Sequence, residues 1–202
     1  MNRISIIIVT ALTALTIGAN AQYTQQLGSN NVFMLKVEGG YGFFMGNVGE
    51  AGDNGYNLNK FHSMANLNVM AGVNISQDWF LGFGVGGNYF HSIRIKDAES
   101  HFGATAFIDF DFRPIWKAVM GVDYQPTTIK WAPLMGARIG GSILMADNML
   151  FTPMAEAYGG INWYYAHGLR NMTHNWHSFY ATLGVAYMQQ TFFLPVRVGW
   201  RW

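Results

Sequence analysis

Residues Phe61 to Phe90 read FHSMANLNVMAGVNISQDWFLGFGVGGNYF, and this stretch decides the fold. Every second residue from Phe61 to Ile75 gives Phe, Ser, Ala, Leu, Val, Ala, Val and Ile. The intervening series is His62, Met64, Asn66, Asn68, Met70, Gly72 and Asn74. One series is nearly all apolar and the other is largely polar or small. A sustained period of two marks a strand with two unlike faces. Ser76-Gln77-Asp78 then supplies a tight turn. A second alternating run follows, with Leu81, Phe83, Val85 and Tyr89 set against Gly82, Gly84, Gly86 and Asn88. Strands of soluble domains usually run about 5–6 residues, so this hairpin is too long for most of them. It suits a bilayer, which needs about 9–11 tilted residues per strand.

The composition points the same way. Half of the 202 residues are hydrophobic and only 11% are charged, against roughly 25% in a soluble domain. After the N-terminus no stretch approaches the roughly 18 consecutive apolar residues of a transmembrane helix. With 24 Gly and 16% aromatics, dispersed apolar residues fit a membrane β-barrel or an unusually apolar soluble β-sandwich. Met1 to Ala21 reads as a secretory signal peptide, with Arg3, an apolar run from Ile4 to Ile17, and Ala19-Asn20-Ala21 as the cleavage site. The mature chain is then expected to start at Gln22. There is no Cys, hence no lipoprotein anchor and no disulfide framework. The leader holds one of the 12 Lys and Arg and none of the 11 Asp and Glu, which leaves a mature chain with eleven of each. That balance argues against nucleic-acid binding, which needs a concentrated basic face.

Alternation predicts eight strands. The first spans roughly Val32 to Met45, and the hairpin supplies the second and third. The fourth runs from about Phe102 to Arg113, the fifth from Trp131 to Met145 and the sixth from Leu150 to Tyr165. The seventh covers His177 to Gln189 and the eighth Phe192 to Trp202. Residues 46–60 and 91–100 read as solvated loops, and Pro114 to Lys130 as a connection with frayed strand ends. The expected fold is all-β, an eight-stranded antiparallel up-and-down transmembrane β-barrel over residues 22–202. In each strand the purely apolar parity must then face lipid and the mixed parity the lumen. If strand one rises from the periplasm, all seven tryptophans fall at the periplasmic rim: Trp79, Trp116, Trp131, Trp163, Trp176, Trp200 and Trp202. Phe43, Phe61, Tyr89, Phe102, Phe151, Tyr187 and Phe192 fall at the other. Aromatic girdles at both interfaces are expected, because amphipathic rings settle at headgroup level.

The leader, the alternating strands, the LGFGVGGNYF hairpin and the terminal VRVGWRW resemble the small eight-stranded outer-membrane β-barrel proteins of the OmpA/OmpX type, within the outer membrane protein β-barrel domain group. The resemblance covers essentially the whole mature chain. It implies an outer-membrane location and contact with outer-membrane lipid. It also implies recognition by the barrel-assembly machinery through Val196, Val198, Trp200 and Trp202, with Trp in the last position where that family more usually has Phe.

Several groups of residues are candidates for chemistry. Lys36, Glu38, Asp109, Asp111, Arg113, Arg138, Glu156, Arg197 and Arg201 all fall on the lumen parity. Asp109, Arg138 and Glu156 should share one depth on adjacent strands. An eight-stranded interior is just filled by side chains, so these charges read as a structural ion-pair network rather than an ion or proton path. His62, His91 and His101 fall near the extracellular rim; His167, His174 and His177 fall near the periplasmic one. Parity argues against a metal site, since His62 and His101 point inward and His91 outward. The dipeptides His62-Ser63, His91-Ser92 and His177-Ser178 suggest nucleophilic catalysis. That chemistry needs a base bonded to the Ser, and adjacent strand residues point to opposite faces. The glycines of the hairpin lack the following helix that a nucleotide-binding loop requires. No catalytic residue, cofactor or metal is therefore assigned.

The resulting expectation is a non-enzymatic outer-membrane barrel with a narrow or plugged lumen. It would act through structure, or through recognition of an extracellular ligand by loops 46–60 and 91–100. One alternative is a lipid A acyl hydrolase or acyltransferase, with Asp97 or Glu99 as its acid. The other is a soluble barrel binding a hydrophobic ligand, which fails if Arg138 and Glu156 lie inside.

Overall fold

The structure, a computed structural model, describes residues 33–47, 62–75, 79–92, 100–112, 131–145, 150–164 and 178–201. Eight strands follow in chain order: β1 (Phe33–Asn47), β2 (His62–Asn74), β3 (Trp79–Ser92), β4 (His101–Phe112), β5 (Trp131–Met145), β6 (Leu150–Tyr164), β7 (Ser178–Met188) and β8 (Thr191–Arg201). Each pairs antiparallel with its sequence neighbours, and β1 also pairs with β8, which closes the barrel. Closure leaves no row of unpaired backbone groups, the condition for a sheet in hydrocarbon.

The faces alternate as the period of two demands. Along β3 the exposed residues include Leu81, Phe83, Val85 and Tyr89, while Phe80 and Phe90 are buried. On β5, Met135, Ile139 and Ile143 are exposed while Leu134, Arg138, Ser142 and Leu144 are buried. Gly82 and Gly84 face inward, where a Cβ would meet the Phe80 or Phe107 ring. Gly87 lies on the outward parity, with nothing within 4 Å of where its Cβ would be.

Two loop boundaries differ from the sequence reading. β1 continues through Gly46 and Asn47, which pair with Phe192 and Thr191 beyond a register shift after Phe44. β3 continues through His91 and Ser92, opposite Ser63 and His62. Polar composition suggested loop at these positions, yet backbone pairing continues past the last apolar residues, Met45 and Phe90. The segments 1–32 and 113–130, with the leader, Arg113 and Trp116, lie outside the described residues. So do most of loops 46–60 and 91–100.

The β7–β8 hairpin turns on two residues, Gln189 and Gln190, with φ of 50° and 56°. Two-residue hairpins favour turns with positive φ at both central positions, which is why Asn-Gly usually fills them. Gln189 is held despite the strain: its backbone N–H donates to Thr152 Oγ1 at 3.1 Å and its amide to Ser142 Oγ at 3.0 Å. Gln190 is exposed and has no such anchors among the hydrogen bonds described. Gln190→Gly is expected to raise stability by about 1 kcal/mol, roughly the left-handed cost of one L-residue. The midpoint of urea unfolding reads it directly.

Candidate functional site: the lumen and its mouth

The interior is built in two layers. Toward the rim that holds the start of β1 and the end of β8 lie four carboxylates (Glu38, Asp109, Asp111, Glu156) and four cations (Lys36, Arg138, Arg197, Arg201), all buried. Asp109, Arg138 and Glu156 are directly opposite one another across β4, β5 and β6. Arg138 is the hub. Its guanidinium donates to both oxygens of Glu38 on the far wall, at 2.5 and 2.9 Å, and its Nε donates to Asp109 at 2.9 Å. Such a bidentate fork is the strong form of an ion pair. Lys36 bridges Asp109 and Asp111, the latter at 2.7 Å, and Arg201 also donates to Asp111 at 2.7 Å. Arg197 pairs with Glu156 and lies 3.5 Å from Glu38.

Neutral groups complete the layer. Tyr158 donates to Asp109 at 2.8 Å, and Tyr180 and Asn68 donate to Glu38 at 3.0 and 2.9 Å. The Arg138 guanidinium lies 4.7 Å from the centre of the Tyr158 ring, within cation–π range. Gly40 gives Arg197 its path. A Cβ there would lie 2.6 Å from Arg197 Cγ, so only glycine lets the arginine stem cross β1 to reach Asn66 at 3.3 Å.

The second layer, toward the opposite rim, is mixed, with buried Asn88, Thr105, Ser142, Thr152 and Gln189 beside an apolar cluster. Met64, Met70, Phe90, Phe107, Leu144, Met154, Ala186, Met188 and Phe193 form one buried cluster inside the barrel. Sequence reading grouped these residues with the polar lumen parity and missed the plug. The signal was present: the inward series of β2, β3 and β8 places Met64, Phe90 and Phe193 near the same end of their strands. Arg138 and Glu156 are inside, 1% and 4% exposed, which removes the soluble-barrel alternative by its own criterion.

On the outer face Trp79, Trp163 and Trp200 are exposed near the first rim. Trp131 starts β5 opposite Trp163; its side chain, with Trp116, Trp176 and Trp202, lies outside the described residues. Val196 and Val198 are exposed on β8. Near the other rim Phe43, Tyr89, Phe102, Phe151 and Phe192 are exposed.

Of the six histidines, His62, His91 and His101 are described. His91 sits on the outer face, bonded through Nε2 to the Tyr41 hydroxyl at 2.9 Å and stacked on Tyr89 at 5.4 Å. Small Ala65 on β2, opposite both Tyr41 and Tyr89, lets the pair meet over that strand. Ser63 pairs with His91 in register, but His91 Nδ1 has no hydrogen-bond partner among the described residues. No Ser–His relay is formed there. Asp97, Glu99, His167, His174 and His177 lie outside the described residues. His62 and His101 face the lumen mouth with ring centroids 6.0 Å apart.

No protein-family model and no curated protein matches this chain. Among solved structures, Neisserial surface protein A (NspA) superposes with a TM-score of 0.52 at 12% identity, over 84% of this chain and 95% of NspA. The N-terminal β-barrel domain of Pseudomonas aeruginosa OprF gives 0.44 at 12% identity, over 86% and 98% of the two chains. Ail, the attachment invasion locus protein of Yersinia pestis, gives 0.40 at 10% identity, over 85% and 99%. The likeness to NspA is one of fold: this chain has the closed eight-stranded architecture of the small outer-membrane barrels.

Proposed function

We propose that this chain is an integral outer-membrane protein of a Gram-negative-type envelope, non-enzymatic, with a sealed lumen and a role in structure or loop-mediated recognition. The observation that carries the reading is the inversion of faces. Charges are paired inside and a continuous apolar surface lies outside, an arrangement that loses stability in water and gains it in hydrocarbon. On this reading Met1 to Ala21 is a cleaved signal peptide, and the tryptophan rim faces the periplasm. Val196, Val198, Trp200 and Trp202 present the strand that the assembly machinery reads. The charge layer and the methionine–phenylalanine layer together fill the interior, so the barrel does not conduct. What it recognises is then met by the connections at the opposite rim, 48–61 and 93–99, as loops on a rigid scaffold commonly carry function.

Fractionation and electrophoresis test this together. The protein should remain in the outer-membrane fraction and shift in mobility on boiling, and should add no steady conductance to a planar bilayer. A soluble periplasmic protein without a heat shift contradicts the membrane reading. A steady open channel contradicts the sealed lumen.

A further inference from the structure

His62 and His101 come from strands that do not touch. β3 runs between β2 and β4, and its Phe90 lies opposite His101 and Met64. Next-nearest strands are separated by about 9–10 Å, twice the usual inter-strand spacing. The two rings nevertheless stand only 6.0 Å apart, centre to centre, with planes tilted by 34°. His62 is opposite Ser92 on β3, two residues beyond Phe90, and is 2% exposed.

The geometry points to a divalent transition-metal site at the lumen mouth, with the imidazoles of His62 and His101 as its ligands among the described residues. Metal–nitrogen bonds of about 2.0–2.1 Å place the centres of two imidazoles on one ion roughly 5–6.5 Å apart, from near-tetrahedral to trans. The observed 6.0 Å lies within that interval. Rotation about the imidazole χ2 is soft, so small adjustments bring the nitrogens to bear without moving the strands. Two neutral nitrogen donors select Zn²⁺, Ni²⁺ or Cu²⁺ over the hard cations Mg²⁺ and Ca²⁺, which require oxygen. Among the described residues no third His, Cys, Asp or Glu joins them. Beneath the pair, Met64 and Phe90 begin the buried apolar cluster of the second layer.

The test uses the full chain folded in dodecyl maltoside micelles, with Cu²⁺ as the probe. Electron paramagnetic resonance should show one ion per chain bound by two nitrogens. H62N and H101N should each weaken binding by at least about tenfold, while H91N leaves it unchanged. Wild-type affinity in both H62N and H101N, or no Cu²⁺ bound by the unaltered chain, overturns the site. Should H62N fail to fold, paramagnetic broadening in the unaltered protein decides the matter. Both the His62 and His101 ring signals must broaden on addition of Cu²⁺, and any other outcome overturns the assignment.

Discussion

Arg138→Met is expected to cost about 3–5 kcal/mol of stability, the range found when one partner of a buried ion pair is removed. The methionine fills much of the space, so the loss is mainly electrostatic. Arg138 alone joins Glu38 on β1, Asp109 on β4 and, at 3.6 Å, Glu156 on β6. Without it the described interior holds four carboxylates against three cations. Of its cationic partners Glu38 keeps only Arg197, at 3.5 Å, beside the neutral donors Tyr180 and Asn68. The expected result is a large fall in the urea midpoint in phospholipid vesicles, with the closed form still detectable by its heat shift at low denaturant. Adding Glu38→Gln restores neutrality. The double variant should therefore be more stable than the two single losses imply, by about 1–3 kcal/mol of coupling. Additive losses would mean that Arg138 acts by filling space and not as the hub of a network.

The next residue along makes the opposite point. Ile139→Arg is expected to cost about 2–4 kcal/mol in a bilayer, the price of a cation on the lipid face near the midplane. Ile139 is 71% exposed and lies close to the middle of β5. In a water-soluble barrel the same change would be neutral, or would improve solubility. Adjacent residues thus give losses of similar size for opposite reasons: a charge removed from inside and a charge added outside.

Much of the architecture was legible because β-structure projects a two-residue period onto one dimension. Leu67, Val69, Phe83 and Val85 announce their shared face without reference to any other strand. The depth shared by Asp109, Arg138 and Glu156 could be counted from the sequence, because Asp109 lies seven residues before Trp116, Arg138 seven after Trp131, and Arg138 and Glu156 are nearly symmetric about the short turn near Asp147. What depends on the far wall was not legible. Arg138 meeting Glu38, and Lys36 meeting Asp109, cross the lumen between strands three or four apart. Their contact depends on the stagger of the closed barrel, which no local pattern encodes. The apolar plug escaped for the same reason: Met64, Met154 and Met188 form a layer only once the strands are aligned around the axis. His62 and His101 share a parity, but their convergence needs β3 placed between them. Strand ends were misjudged where polar composition and backbone pairing disagree, as at Asn47 and Ser92.

The most direct measurement follows from the absence of cysteine, which leaves a clean background for a single label. Ile139→Cys carries a nitroxide spin label in the chain refolded into phospholipid vesicles. Collision rates are compared for oxygen, which concentrates in hydrocarbon, and for a water-soluble nickel chelate, which does not. Much greater access by oxygen than by nickel is the result expected of a barrel whose apolar face meets lipid. Equal or greater access by nickel would place Ile139 in water and contradict the membrane-spanning assignment.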